Sequence, residues 1–213
     1  MTKARFEWDP HKDLENRKKH GIPPQSWVIG VVGNVRPWKG QETIVRAMAL
    51  LAREFPGIRC VLAGASTDAD RPYRVHLEQL CRDLGIVDNV TFAGFQRNAI
   101  DYMRLMDVVV HTSVHPEPFG IVTLEAMSLA KPLISTSIGG PAEVVVDGET
   151  GLLVEPGQPE LLATAVAKML NNRETALEMG RRGHQRLLTH FGLRKNLDET
   201  MAVYEGALGR VSV

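Results

Sequence analysis

The chain has 213 residues, 44% of them hydrophobic and 23% charged, the ordinary make-up of a water-soluble globular domain. Lys plus Arg and Asp plus Glu both number 25, so the formal net charge is zero, and bulk electrostatics gives no reason to expect nucleic acid or an anionic membrane as partner. No apolar run is long enough to span a bilayer, and Met1 to Trp8 lacks the apolar core of a secretory signal.

In chain order, residues 1–26 read as a polar extension. Asp9 caps a short helix with Pro10 in its first turn, Lys18, Lys19 and His20 suit its last turn, Gly21 ends it, and Leu14 is its single apolar anchor. Pro23-Pro24 is a stiff connector. From Trp27 onward strand and helix alternate. The continuous run W-V-I-G-V-V predicts a central parallel strand. Ile44, Met48, Leu51 and Phe55 share one face of a helix over 41–55. The segment I-R-C-V-L-A is the second strand, Tyr73, Leu77, Leu80 and Leu84 mark the second helix, and V-T-F-A is the third strand. A short helix at 100–106 leads to D-V-V-V-H, a helix at about 120–130 to P-L-I-S-T, and a short helix near 141–146 to L-L-V. Helices at about 159–171, 174–190 and 194–208 close the chain. This alternation predicts a doubly wound, Rossmann-like α/β layer of about six parallel strands, with ligand at their carboxyl ends. Cys60 and Cys81 fall in a strand and a helix and read as small buried hydrophobes in a reducing compartment. No internal repeat or low-complexity stretch interrupts the pattern.

The segment from His115 to Met127, H-P-E-P-F-G-I-V-T-L-E-A-M, carries the densest chemistry. Pro118 holds Glu117 extended, and Gly120 permits a close approach or a positive φ. The helix that follows opens with unpaired N–H groups and the positive end of its dipole, a ready anion site. Glu125 lies four residues after Ile121, one turn deeper on the same face. Two carboxylates can therefore flank a diphosphate and accept hydrogen bonds from sugar hydroxyls. Two further loops sit at predicted strand ends, Gly33 to Gly40 (G-N-V-R-P-W-K-G) and Gly139-Gly140-Pro141 with Glu143 following. Read alone, Arg36 and Lys39 are ordinary solvated cations, the two Glu a loop and a surface carboxylate, and the Gly-Gly turn a plain connection. Among the seven His, His111 and His115 border the same loop and read as structural groups. No Cys/His cluster has metal-ligand spacing, no Ser occupies a nucleophile elbow, and no aromatic-basic interleaving suggests nucleic acid.

The string E-P-F-G-I-V-T-L-E-A-M, followed by K-P-L-I-S-T and G-G-P-A-E-V-V-V-D-G-E-T-G-L-L-V, closely resembles the retaining GT-B glycosyltransferases of family 4, also called group 1. The resemblance runs from near Trp27 to about Met169. It implies a C-terminal, donor-binding half of a two-domain enzyme: residues 1–26 as linker from an acceptor-binding N-terminal domain, 27–191 as the nucleotide-sugar-binding domain, and 192–213 as a C-terminal helix crossing back. It implies transfer of a hexosyl group from a UDP-, GDP- or ADP-activated donor to an unidentified acceptor, without a metal and with no cofactor besides the nucleotide-sugar substrate. By resemblance, Lys39 meets the diphosphate, within a loop bounded by Gly33 and Gly40. Glu125 accepts from the ribose hydroxyls and Glu117 lies near the donor sugar, without being assigned as nucleophile. Backbone N–H groups of Phe119, Gly120, Ile121 and Val122 hold sugar and phosphate oxygens. The turn at Phe95 borders the base, and Gly139 and Gly140 border the sugar. The family's usual catalytic-site His belongs to the N-terminal domain.

Two departures stand out. Asn34 occupies a position where the family usually has Arg, making Arg36 the candidate replacement. Ala130 occupies one where Gly is common before Lys-Pro, a change expected to concern packing. The missing acceptor half leaves a second reading, a non-catalytic nucleotide-sugar-binding or assembly module. A related GT-B epimerase or phosphorylase has no support, since no Lys has a pyridoxal-type context. The expected location is the cytoplasm, the inner membrane surface remaining open, and oligomeric state is not readable. The last helix carries Leu197, Met201, Tyr204 and Leu208 as a stripe expected to be partly exposed or buried against a second copy.

Overall fold

The structure, a computed structural model, describes residues 15, 17, 22–23 and 25–209. The cap and stop residues expected of the N-terminal helix, Asp9, Pro10, Leu14, Lys18, Lys19, His20 and Gly21, lie outside the described residues, as does Pro24. Glu15 and Arg17 are helical.

Six strands form one all-parallel sheet: β1 (Val28–Val32), β2 (Arg59–Ala63), β3 (Val90–Gly94), β4 (Val108–His111), β5 (Leu133–Thr136) and β6 (Leu152–Val154). Their order in space is β3-β2-β1-β4-β5-β6, so the chain reverses direction across the sheet between β1 and β4. That reversal leaves a crevice beyond the carboxyl ends of these two strands, the usual ligand position in open α/β sheets.

The helices are α1 (Gln41–Glu54), α2 (Arg71–Asp83), α3 (Ala99–Leu105), α4 (Ile121–Ser128), α5 (Gly140–Val144), α6 (Pro159–Asn171), α7 (Arg173–His190) and α8 (Leu193–Gly209). Successive side chains of a strand face opposite sides, and the sheet is covered on both. Ile29, Val108, Val110 and Ile134 face a layer in which α1 contributes Ile44, Met48 and Leu51 and α6 contributes Leu162, Val166 and Met169. Val28, Val109 and Leu133 face the other layer, with Met103 of α3, Ala126 and Met127 of α4, and Val144 of α5. Cys60 and Cys81 are buried free thiols, and burial pushes both up from the ordinary range.

At the amino edge, the Arg17 guanidinium donates to both Asp107 carboxylate oxygens at 3.0 and 2.9 Å, and Asp107 also accepts the Val28 N–H at 2.9 Å. A cavity of about 540 Å³ lies at this edge, among Trp27, Asp107, Lys131, Pro132 and Arg173, and none of the sequence-predicted site residues lines it. On α8 the expected stripe is exposed: Leu197, Met201, Tyr204 and Leu208 are each more than half accessible.

The structure corrects one expectation. Ala130 differs from Gly in more than packing. It is the single positive-φ non-glycine residue among those described, at φ +50°, and it ends α4 two residues short of the expected boundary. The tight reversal brings its carbonyl so close to α7 that a Cβ on Gly180 would lie 2.2 Å from the Ala130 oxygen. The left-handed region costs an L-residue about 1–2 kcal/mol, while Gly adds less than that in unfolded-chain entropy. Ala130→Gly is therefore expected to stabilise the domain by about 0.5–1 kcal/mol, read as a higher urea midpoint at unchanged slope.

Candidate functional site

Three loops meet beyond the carboxyl ends of β1, β4 and β5. The first follows β1. Pro37–Lys39 form a single 3₁₀ turn, and Gly40 links it to α1. This turn is stitched to the loop after β4: the Thr112 hydroxyl donates to the Lys39 carbonyl at 2.7 Å, and the Val114 N–H donates to the Trp38 carbonyl at 2.9 Å. The Lys39 ammonium thereby stands 4.4 Å from the Trp38 ring centroid and donates to Glu117 Oε1 at 2.7 Å.

Glu117 is the hub. Besides Lys39, its Oε1 accepts from His111 Nε2 at 2.9 Å and from the Ser113 hydroxyl. A carboxylate only accepts, so the imidazole Nε2 carries the hydrogen. On the far side of the ring, Nδ1 lies 3.0 Å from the Ser135 hydroxyl oxygen on β5. Burial by itself would raise the Glu117 carboxyl. The donors His111, Lys39 and Ser113 outweigh it and bring the pKa from the ordinary 4.5 down to about 2.

The third loop closes the site from β5. The Gly140 N–H donates to the Glu117 carbonyl at 2.8 Å. Gly139, at φ +65°, packs so tightly that a Cβ there would lie 2.6 Å from the same carbonyl oxygen. Only glycine meets both conditions, left-handed backbone and no room.

Gly120, at φ +69°, turns the chain into α4 without a side-chain cap. The amides of Phe119, Gly120, Ile121 and Val122 make no turn or cap hydrogen bond among the described residues. These N–H groups remain available to an anion, reinforced by the helix dipole. Glu125, one turn into α4, is half-buried; burial pushes its pKa up, and among the described residues no hydrogen bond or ion pair is recorded at its side chain. Among the described residues it is a partly desolvated acceptor without a donor. A hollow of about 280 Å³ opens beside the start of α1, among Pro37, Gly40, Arg46, Tyr73, Val114 and Pro159, and of the sequence-predicted site residues Gly40 alone lines it.

Among the sequence-predicted residues, the structure brings together Lys39, Gly40, Glu117, Phe119, Gly120, Gly139 and Gly140 around the mouths of these loops; Ile121 and Val122 follow in the first turn of α4, and Glu125 lies one turn further along that helix. Gly33 begins the first loop, its N–H donating to the Ala63 carbonyl. Arg36 is turned away: its Nε donates to Asp70 at 3.1 Å, and Asp70 also accepts the Thr67 hydroxyl. Phe95 sits highly exposed at the end of β3, with two strands between it and β4. Sequence reasoning left His111 structural and did not single out Ser113 or Ser135. The signal was present, because β4 and β5 exchange apolar for polar residues where they reach this edge: His111-Thr112-Ser113 and Ser135-Thr136, all buried.

A doubly wound parallel sheet with this polar crevice at its switch point is a Rossmann-like domain of the GT-B kind. The chain belongs to the family of glycosyl transferases group 1, whose model matches residues 12–186. It is 32% identical over 176 residues to the lipopolysaccharide core biosynthesis glycosyltransferase LpsE of Rhizobium meliloti (strain 1021), covering 83% of this chain and 49% of that protein. Anabaena HepE, solved with UDP and glucose, superposes with a TM-score of 0.85 at 28% identity, covering 92% of this chain and 53% of HepE. The C-terminal domain of a group 1 glycosyl transferase, LpcC of Francisella tularensis, gives a TM-score of 0.78 at 28% identity, covering 85% of this chain and 93% of that domain. The chain thus spans about half the length of LpsE and of HepE. None of the helices among the described residues is long and apolar enough to cross a membrane.

The Glu117 shift has a consequence for acid stability. The folded-state pKa is depressed, so the unfolded chain binds the proton more readily between the ordinary value of 4.5 and about 2. The carboxylate's contribution is complete above pH 4.5 and disappears as pH falls towards 2, amounting to about 3 kcal/mol over that window. Glu117→Gln is expected to flatten this part of the acid limb in urea unfolding followed from neutral to low pH.

Proposed function

We propose that this chain is the nucleotide-sugar-binding half of a retaining hexosyltransferase, the C-terminal domain that follows an acceptor-binding domain. The observation that carries the reading is the 2.7 Å contact between Lys39 and Glu117 beside the amino end of α4. It supports a reading in which this cation and carboxylate, the open amides at the start of α4 and, one turn on, Glu125 serve one ligand.

In this reading the diphosphate lies at the start of α4, held by the amides of Phe119, Gly120, Ile121 and Val122. The Lys39 ammonium offsets its charge as the bond to the sugar breaks. Glu125, already desolvated, accepts from the two ribose hydroxyls, and the raised carboxyl is relieved when those donors arrive. Glu117 faces the hexose, whose hydroxyls find an acceptor there. The loop at Gly139 and Gly140 borders the same sugar, and the Phe95 turn borders the base. Retention is served by attack on the face of the leaving diphosphate, with Glu117 as a fixed negative charge and not as covalent nucleophile. Arg36, paired to Asp70, is held in reserve unless a ligand competes for it. Charge neutralisation then rests on Lys39 and the α4 dipole, without a metal.

The UDP and glucose bound by HepE support a UDP-hexose as donor. The half-length matches to LpsE and HepE, with the near-complete match to the LpcC C-terminal domain, support the placement after an acceptor domain. Residues 1–26 then form the link, 27–191 the donor domain, and 192–213 the segment that returns towards the other half. Alone, the domain has one wall of a cleft. It binds the donor but neither excludes water nor positions an acceptor, so it transfers no sugar. The whole enzyme works in the cytoplasm or against the inner membrane surface.

Isothermal calorimetry with UDP tests the site. Lys39→Ala combined with Glu125→Ala is expected to weaken binding more than tenfold, since each change removes charge-assisted hydrogen bonds worth about 1.5–3 kcal/mol. Unchanged affinity would remove this crevice from consideration.

A further inference from the structure

We propose that His111 is a positioning residue for the donor sugar: braced by Ser135, it fixes the Glu117 carboxylate in one orientation and so sets how strongly the domain prefers a nucleotide-sugar over the bare nucleotide. The inference rests on the reading of Glu117 as the sugar-side carboxylate and adds a residue that this reading does not use.

The geometry is a relay across two adjacent strands. The Ser135 hydroxyl, on β5 and fully buried, lies 3.0 Å from His111 Nδ1; His111, the last residue of β4 and 3% exposed, donates from Nε2 to Glu117 Oε1 at 2.9 Å. The parallel register places His111 opposite Ser135, so the brace is part of the sheet and cannot drift with the loop. Two hydroxyls face Nδ1, Ser135 at 3.0 Å and Thr136 at 3.5 Å, and Ser135 also lies 3.4 Å from the Thr136 carbonyl; when the ring is neutral, Nδ1 accepts a hydroxyl proton, and when it is cationic, Nδ1–H donates to the nearer oxygen, that of Ser135. In both states Nε2–H stays on Glu117. The orientation is therefore independent of the protonation of the ring.

The distribution of donors on Glu117 is uneven. Lys39, His111 and Ser113 all bond Oε1, and no described residue donates to Oε2. Lys39 and Ser113 reach Glu117 from loops, and Lys39 is itself drawn to a diphosphate when one binds. His111 is the donor that a ligand has no reason to displace. A free carboxylate must lose side-chain rotamer freedom before it can order a sugar hydroxyl. With Oε1 pinned from the sheet, that ordering is complete before the ligand arrives, and Oε2 keeps its lone pairs for the sugar. Burying the polar pair His111–Ser135 is costly unless both groups are paired, and the contact with Glu117 completes that pairing for the ring.

Two measurements on the 213-residue chain test this. The first needs no ligand: the side-chain carboxyl carbon of Glu117 is followed by NMR down to about pH 3.5, where the native group stays ionised. In His111→Leu, which fills the space without a donor, a sizeable protonated fraction is expected at that pH. His111→Gln, whose amide N–H replaces the Nε2 donor, is expected to restore the native behaviour. The second compares UDP-glucose with UDP by calorimetry. The ratio of the two affinities is expected to fall about tenfold in His111→Leu and to recover in His111→Gln, as for loss of one charge-assisted hydrogen bond. An unshifted carboxyl signal overturns the proposal, as does equal weakening of both ligands, which marks a purely structural histidine. If the native chain bound neither nucleotide while the carboxyl still responded, the donor-sugar reading would fail and the brace on Glu117 would stand.

Discussion

One carboxylate oxygen organises this edge of the molecule. Glu117 Oε1 collects hydrogen bonds from the loop after β1, the end of β4 and the loop between β4 and α4. Isolated, a half-desolvated carboxylate is a liability; surrounded by donors from three chain segments, it becomes the point through which those segments are located relative to one another. Glu125 shows the opposite case on the same helix. It is similarly withdrawn from water but has no side-chain donor among the described residues, and its pKa moves up instead of down. Two glutamates eight residues apart thus occupy contrasting electrostatic states, one satisfied by the protein and one left for something else to satisfy.

The fold supplies the frame for this contrast. The all-parallel sheet needs apolar residues on both faces, and the strands provide them until they reach the carboxyl edge, where His111, Thr112, Ser113, Ser135 and Thr136 take over. The change from apolar to polar happens within one strand residue of the crevice. The opposite edge is polar for a different reason. There Asp107 gathers Arg17 and the first strand's amide, a buried pair that fixes the start of the sheet.

Much of this was legible in the sequence, and for a physical reason. Runs such as Val28–Val32 and Val108–Val110 are too uniformly apolar for a half-exposed strand, and the intervening segments keep a 3.6-residue period, so strands, helices and their parallel arrangement follow from burial alone. The convergence of Lys39 with the Glu117 loop was legible because strand ends and glycines mark where loops gather. Side-chain direction was not. Arg36 is three residues from Lys39 but pairs with Asp70, because a loop cation takes its nearest carboxylate and sequence distance says nothing about that choice. The roles of His111 and Ser135 depend on strand register, which pairs residues 24 positions apart. Ala130 misled for another reason: a backbone sign of φ leaves no trace in residue size or polarity, and alanine in the left-handed region looks like any other alanine.

The contact between Gly139 and the Glu117 backbone has a mechanical meaning. With no side chain between them and the Gly140 amide bonded across, the β4–α4 and β5–α5 connections touch main chain to main chain. The two connections thus form one continuous lip of main chain. A side chain introduced at Gly139 would have to prise the two connections apart, so the shape of the rim depends on that position staying bare.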